Sequence, residues 1–119
     1  MKSVFFSLLF LLILFLVSHY IFEPTYLYYE IWWLDIPMHL LGGLGVGFVI
    51  MSIAKFYDLK LSLLQIFLLF MVVAIVWEIY EYARGIMVYD DISKYLDTVK
   101  DIVMGSIGLY SSYSLIKRK

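Results

Sequence analysis

Residues 35–54 read DIPMHLLGGLGVGFVIMSIA, and this stretch decides the fold class. It is a run of apolar and glycine residues about as long as the roughly 20 residues that a helix needs to cross the hydrocarbon core of a bilayer. Asp35 and His39 stand at its start, four residues apart, so they share one face of a helix. The stretch therefore predicts a membrane-spanning helix with ionisable groups at one end.

Three further apolar runs extend this interpretation to the whole chain. Its 119 residues are 64% hydrophobic and 16% charged, with a mean hydropathy of +0.92, and a soluble domain of this size cannot bury that much apolar surface. We therefore predict an all-α, polytopic transmembrane four-helix bundle. It forms a single domain over residues 1–119, with helices at about 3–22, 36–54, 61–83 and 97–116.

The first run also has features of a signal peptide, because Lys2 precedes an apolar stretch. The run is longer than a signal peptide needs, and no small-x-small cleavage site follows it. We expect a retained helix. The net charge of −1 gives no basis for a nucleic-acid partner, and the absence of cysteine excludes disulfides and thiolate metal sites.

The basic residues predict the orientation. Six lie at the end of the bundle that holds both termini, and three lie at the other: Lys2, Lys55, Lys60, Lys117, Arg118 and Lys119 against Arg84, Lys94 and Lys100. Because cytoplasmic ends carry the excess of Lys and Arg, we expect a multi-pass protein of the cell (plasma or inner) membrane with N- and C-termini in the cytoplasm.

The acids are distributed even less evenly, since nine of the ten fall at the outer end. Acids contribute little to topology, so this skew indicates a function. Six ligand-type residues form three pairs at helical spacing: Asp35 and His39, Glu78 and Glu81, Asp97 and Asp101. Small residues lie beside them, including Gly42, Gly43 and Gly105, and small residues let membrane helices approach closely. We expect the polar faces to meet inside the bundle.

Converging carboxylates repel one another unless some are protonated or a cation neutralises them. We predict that all six residues bind a divalent metal ion, and five carboxylates with one imidazole suit Mg, Mn, Zn, Fe or Ca. Glu78 and Glu81 are also the candidate catalytic residues, one of them as general base, and Arg84 is expected to contact a substrate phosphate. At headgroup depth, this chemistry favours hydrolysis or transfer of a lipid-linked phosphate. The expected partners are membrane lipid and that substrate, and a homo-oligomer is left open.

Each residue also has a purely structural interpretation. Asp35 can cap its helix, with Pro37 in the first turn, and Asp97 can cap the fourth helix. The glutamates can end a helix that protrudes into water. Two other functions stay open: a small divalent-cation or proton transport element, and a non-enzymatic accessory membrane protein. A transport path requires polar groups deeper in the membrane, where the spans offer Gln65 and a few serines and tyrosines.

Three short motifs carry a family resemblance. They are D-x-P-x-H-x-x-G-G at residues 35–43, W-E-x-x-E at residues 77–81 and D-T-x-x-D at residues 97–101. Together they resemble the YjdF-type inner-membrane proteins, which are grouped loosely with VanZ-like membrane proteins. The resemblance covers residues 35–108 and implies that the six pair-forming residues belong to one site.

Overall fold

The computed structural model describes residues 2–22, 34–84 and 91–117. This part of the chain forms four helices: α1 (Lys2–Val17), which continues as a π-helical turn (Ser18–Phe22), α2 (Asp35–Phe56), α3 (Leu63–Arg84) and α4 (Asp91–Lys117). The predicted all-α class is confirmed. The molecule measures 44 × 27 × 23 Å, and its long axis matches a bilayer of about 40–45 Å including the headgroups.

Three of these helices have the length and apolar composition of a membrane span: Lys2–Ile21, Ile36–Phe56 and Leu63–Glu81. The fourth predicted span, 97–116, lies within α4, which begins earlier and is more polar. Two polar residues of α4, Asp101 and Ser112, are buried on its inner side.

The opposite side of α4 is an exposed apolar stripe: Leu96, Val99, Val103, Ile107 and Tyr110. A membrane helix that keeps its polar groups toward the bundle interior is apolar only on its lipid side. The average hydropathy of α4 is therefore lower than that of the other three helices.

The most extensive helix pair is α2 with α4. A side chain at Gly43 would run into the backbone of Gly105, and one at Gly47 would run into Ser112. Small residues at these positions let two membrane helices pack at close range. The Gly43-x-x-x-Gly47 spacing therefore serves the close packing of α2 on α4.

The α1 helix packs mainly against α2, where Gly45 accepts the side chains of Phe10 and Leu11. The α3 helix packs against α4 and α2. A small core of Ile66, Phe70 and Leu109 joins α3 to α4. Most other large apolar side chains face outward, as expected for a protein that lipid surrounds.

A short connection makes α2 and α3 antiparallel. The turn contains Asp58 in a left-handed conformation, and α3 starts with a reciprocal cap. The backbone N–H of Ser62 donates to the Gln65 side chain, and the backbone N–H of Gln65 donates to the Ser62 hydroxyl. The start of α2 therefore lies at the same end of the bundle as the end of α3.

Candidate metal centre

Four ligand-type side chains from three helices meet at this end of the bundle: His39, Glu78, Glu81 and Asp101. Each contributes a nitrogen or a carboxylate oxygen, and these four atoms all lie within 4.8 Å of one another. Two ligands on opposite sides of a divalent ion are about 4–5 Å apart, because each metal–ligand bond is roughly 2.0–2.6 Å long. The spacing of the four atoms is therefore compatible with one divalent ion.

One contact within this cluster joins two helices. His39 Nε2 lies 3.3 Å from Asp101 Oδ2, and the Asp101 side chain is only 1% exposed. The Lys100 ammonium lies 3.8 Å from Asp101 Oδ1. A buried carboxylate is costly unless positive charge compensates it, so the surroundings of Asp101 favour a cation.

Two glutamates of the cluster are held by side chains outside it. The Trp77 indole N–H donates to Glu81 Oε1 at 2.7 Å, and the Thr98 hydroxyl donates to Glu78 Oε2 at 3.4 Å. Hydrogen bonds of this kind orient the ligands of metal sites and tune their affinity. Neither Trp77 nor Thr98 is among the predicted site residues, although the four-residue spacing of Trp77 and Glu81 places both side chains on one face of α3.

Aromatic rings connect α1 to this end of the bundle. The His19 ring stacks on Phe15 with ring centroids 5.5 Å apart, and Phe15 meets Trp77 edge-on at 6.0 Å. Trp77 in turn bonds Glu81. His19 therefore belongs to an aromatic stack beside the cluster.

Three predicted site residues have side chains outside the described part of the molecule: Asp35, Arg84 and Asp97. The helix backbones place Asp35 one turn before His39, and Asp97 one turn before Asp101. Ligation by these two aspartates and a phosphate contact by Arg84 stay predictions.

A cavity of about 410 Å³ adjoins the cluster. All four cluster residues and Trp77 line it, and most of the remaining wall is apolar, including Leu11, Leu14, Val46, Phe70, Val73 and Ile102. On α3 the lining extends from Phe70 to Glu81, which is about 16 Å at roughly 1.5 Å per residue. The cavity therefore extends from the polar end toward the middle of the bundle.

Comparison with known proteins identifies a family. A family model described as "Predicted membrane protein (DUF2238)" matches residues 3–118. The chain belongs to this family. Its membrane location is consistent with the three apolar helices, and it is a multi-pass membrane protein. No curated protein and no solved structure matches the chain.

For this DUF2238 membrane protein, the geometry limits the chemistry. The described cluster has three carboxylates and one imidazole, which form a hard, oxygen-rich ligand set. The adjoining cavity offers apolar contact over most of its wall. The arrangement suits a cation at the polar end and an apolar group beside it.

Proposed function

We propose that the protein is a metal-dependent membrane enzyme that hydrolyses or transfers a lipid-linked phosphate. One observation carries the proposal: the carboxylate–histidine cluster forms part of the wall of a cavity that is otherwise largely apolar. A ligand site of this kind combines an apolar surface with a few polar groups that fix orientation. A lipid with a phosphate at one end has the matching chemistry.

In this proposal His39, Glu78, Glu81 and Asp101 hold a divalent ion, and Asp35 and Asp97 complete the ligand set. Mg, Mn, Zn, Fe and Ca all suit carboxylate and imidazole ligands. A divalent ion held there would supply Lewis acidity toward a phosphate oxygen and toward water.

One of the two glutamates takes the proton of the attacking water while the phosphorus–oxygen bond to the leaving group breaks. The same carboxyl group then returns the proton to the leaving oxygen. Arg84 would contact the phosphate.

The site is proposed to lie at the extracytoplasmic end of the cell membrane, with both termini in the cytoplasm. Lys55 and Lys60 are exposed at the opposite end from the cluster, as the positive-inside rule requires. The resemblance to YjdF-type and VanZ-like proteins belongs to the same proposal. It supports one site built from all six pair-forming residues.

Elemental analysis of the purified protein tests the metal half of the proposal. Wild type should carry or take up a divalent ion, and the Glu78→Gln, Asp101→Asn double variant should not. Asp58→Asn is the matched control, because Asp58 lies at the far end of the bundle. A wild type that binds no divalent ion over a full titration would overturn the proposal.

The enzymatic half needs a separate measurement. Wild type in phosphatidylcholine vesicles that contain phosphatidic acid or a polyprenyl diphosphate should release inorganic phosphate when a divalent ion is added. Glu78→Gln should abolish this release, and Asp58→Asn should leave it unchanged. Metal binding without phosphate release from either lipid would contradict the enzyme while leaving the metal site in place.

A transport element is less well supported than an enzyme, because the polar groups deeper in the bundle already have hydrogen-bond partners. Gln65 caps α3, and Ser106, Ser111 and Ser112 each donate to a carbonyl of their own helix. These groups are engaged in local hydrogen bonds. Transport would be favoured if the protein takes up metal into proteoliposomes and Glu78→Gln blocks that uptake. An accessory role would be favoured if substitution of the acids changes neither stability nor activity.

A further inference from the structure

We propose that the cavity beside the cluster is the binding site for one hydrocarbon chain of a membrane lipid, which enters between α1 and α3. The inference rests on the proposed function for the identity of the lipid's polar end, while the chain site stands on the cavity itself. Three observations support it: the open space beside Gly42, the gap between α1 and α3, and the position of the polar residues at one end of the cavity.

Gly42 distinguishes this cavity from a packing defect. An added Cβ at Gly43, Gly45, Gly47, Gly105 or Gly108 would collide with a neighbouring group, whereas one at Gly42 would meet nothing within 4 Å. Gly42 lines the cavity. Helix packing therefore explains the other glycines and does not explain Gly42, although glycine weakens a helix relative to alanine. Its missing side chain leaves room for an occupant.

The separation of α1 from α3 gives the occupant a route from the bilayer. The α1 helix packs mainly on α2, and α3 packs on α4 and α2. The α1 and α3 helices approach each other through the rings of Phe15 and Trp77, whose centroids are 6.0 Å apart. Both helices line the cavity. A lipid chain can move sideways into this space without crossing a polar layer.

The distribution of polarity sets the orientation of the chain. The ionisable lining residues all lie at one end, and Val46 and Phe70 line the other. The ionisable residues are His39, Glu78, Glu81 and Asp101. Along α3 the lining covers about 16 Å at roughly 1.5 Å per residue, about half of a hydrocarbon core near 30 Å thick. An apolar space of this kind loses dispersion contacts when nothing fills it. A chain with its polar end at the cluster fills it.

Photo-cross-linking tests this site directly. The protein is reconstituted into phosphatidylcholine vesicles that contain a phosphatidic acid with a diazirine in one acyl chain, and adducts are mapped by mass spectrometry. Phe70 reports on the cavity, because it lines the space and is only 4% exposed. Val72 reports on ordinary surrounding lipid, because it is 62% exposed and is not part of the lining. Wild type should give adducts at both residues.

Two filling variants provide the decisive comparison. Gly42→Leu places a side chain in the cavity and should remove the adduct at Phe70 while that at Val72 persists. Val73→Phe, from the opposite wall, should do the same, and Val72→Phe is its matched control on the lipid side and should keep the Phe70 adduct. Adducts at Val72 without any at Phe70 in wild type would overturn the chain site. Equal Phe70 labelling in wild type and in both filling variants would overturn it too.

Failure of the chain site and failure of the proposed function give different results. The Glu78→Gln, Asp101→Asn variant should lose the metal and still label Phe70, because the chain contacts the apolar wall. Gly42→Leu should bind metal as wild type does and lose the label. Loss of metal by Gly42→Leu would show that its effect reaches the cluster and would contradict a separate chain site.

Discussion

His39 Nε2 lies 3.3 Å from Asp101 Oδ2, so a residue in the second turn of α2 meets a buried carboxylate of α4. Sequence spacing pairs His39 with Asp35, and Asp101 with Asp97, each within one helix. The contact between helices adds a relationship that the spacing does not contain.

The first prediction concerns the effect of metal binding on thermal stability. A ligand that binds only the folded form stabilises it by about 2.7 kcal/mol at a hundredfold excess over Kd. Wild type should therefore melt at a higher temperature with Mn²⁺ or Zn²⁺ than with a chelator. His39→Ala should remove most of this difference, and Asp58→Asn should keep it. The shift should also shrink as pH is lowered, because protons compete for the same ligand atoms. An unchanged shift in His39→Ala would remove His39 from the ligand set.

The second prediction separates ligation from capping at Asp35. Serine caps a helix about as well as aspartate, but it lacks the carboxylate. Asp35→Ser should therefore leave the free energy of unfolding in chelator within about 0.5 kcal/mol of wild type, while reducing the metal-induced shift in melting temperature. Differential scanning measurements with and without metal give both numbers. Equal metal-induced shifts in Asp35→Ser and wild type would remove Asp35 from the ligand set.

The third prediction concerns the hydrogen bonds that position the glutamates. Removal of such a donor typically costs about 10–100-fold in metal affinity. Trp77→Phe should weaken metal binding more than Thr98→Val, because the Trp77–Glu81 bond is 2.7 Å and the Thr98–Glu78 bond is 3.4 Å. Isothermal titration measures both affinities. Thr98→Ser keeps the hydroxyl and should bind as wild type does, and weak binding by Thr98→Ser would mean that Thr98 acts through packing.

The fourth prediction compares two adjacent glycines. Gly43→Ala should destabilise the protein by about 1–3 kcal/mol, because the added methyl group meets the backbone of Gly105. Gly42→Ala should leave stability unchanged or raise it by up to about 1 kcal/mol, since its Cβ enters open space and alanine favours helix. Unfolding curves in mixed micelles measure both. Equal losses would contradict the different surroundings of the two glycines.

The fifth prediction tests the orientation. The chain has no cysteine, so single cysteines can be introduced without a background. Cysteine at position 30 should react with an impermeant thiol reagent in intact cells, and Lys60→Cys should react only after the cells are opened. The reverse pattern would place the cluster at the cytoplasmic end.

Some features of this protein follow from the sequence alone because their causes are local or concern the solvent. Apolar runs near 20 residues form helices in lipid whatever their neighbours do, since a backbone in hydrocarbon has to satisfy its own hydrogen bonds. Short connections make successive helices antiparallel. The acids at residues 35, 78, 81 and 101 therefore lie at the same end of the bundle. The four-residue spacing of Gly43 and Gly47 likewise places both on one face of α2.

Other features were decided only by the tertiary structure, because they depend on how far each helix is rotated and shifted against its neighbours. Their position beside Asp35 and His39 predicted the same packing role for Gly42 and Gly43, yet Gly43 packs against α4 and Gly42 borders the cavity. The 3.3 Å contact of His39 with Asp101 depends on the close approach at Gly43 and Gly105. Trp77 bonds Glu81 while its ring meets α1. Spacing fixes which residues share a face of one helix, but distances between helices come from side-chain packing across the whole bundle.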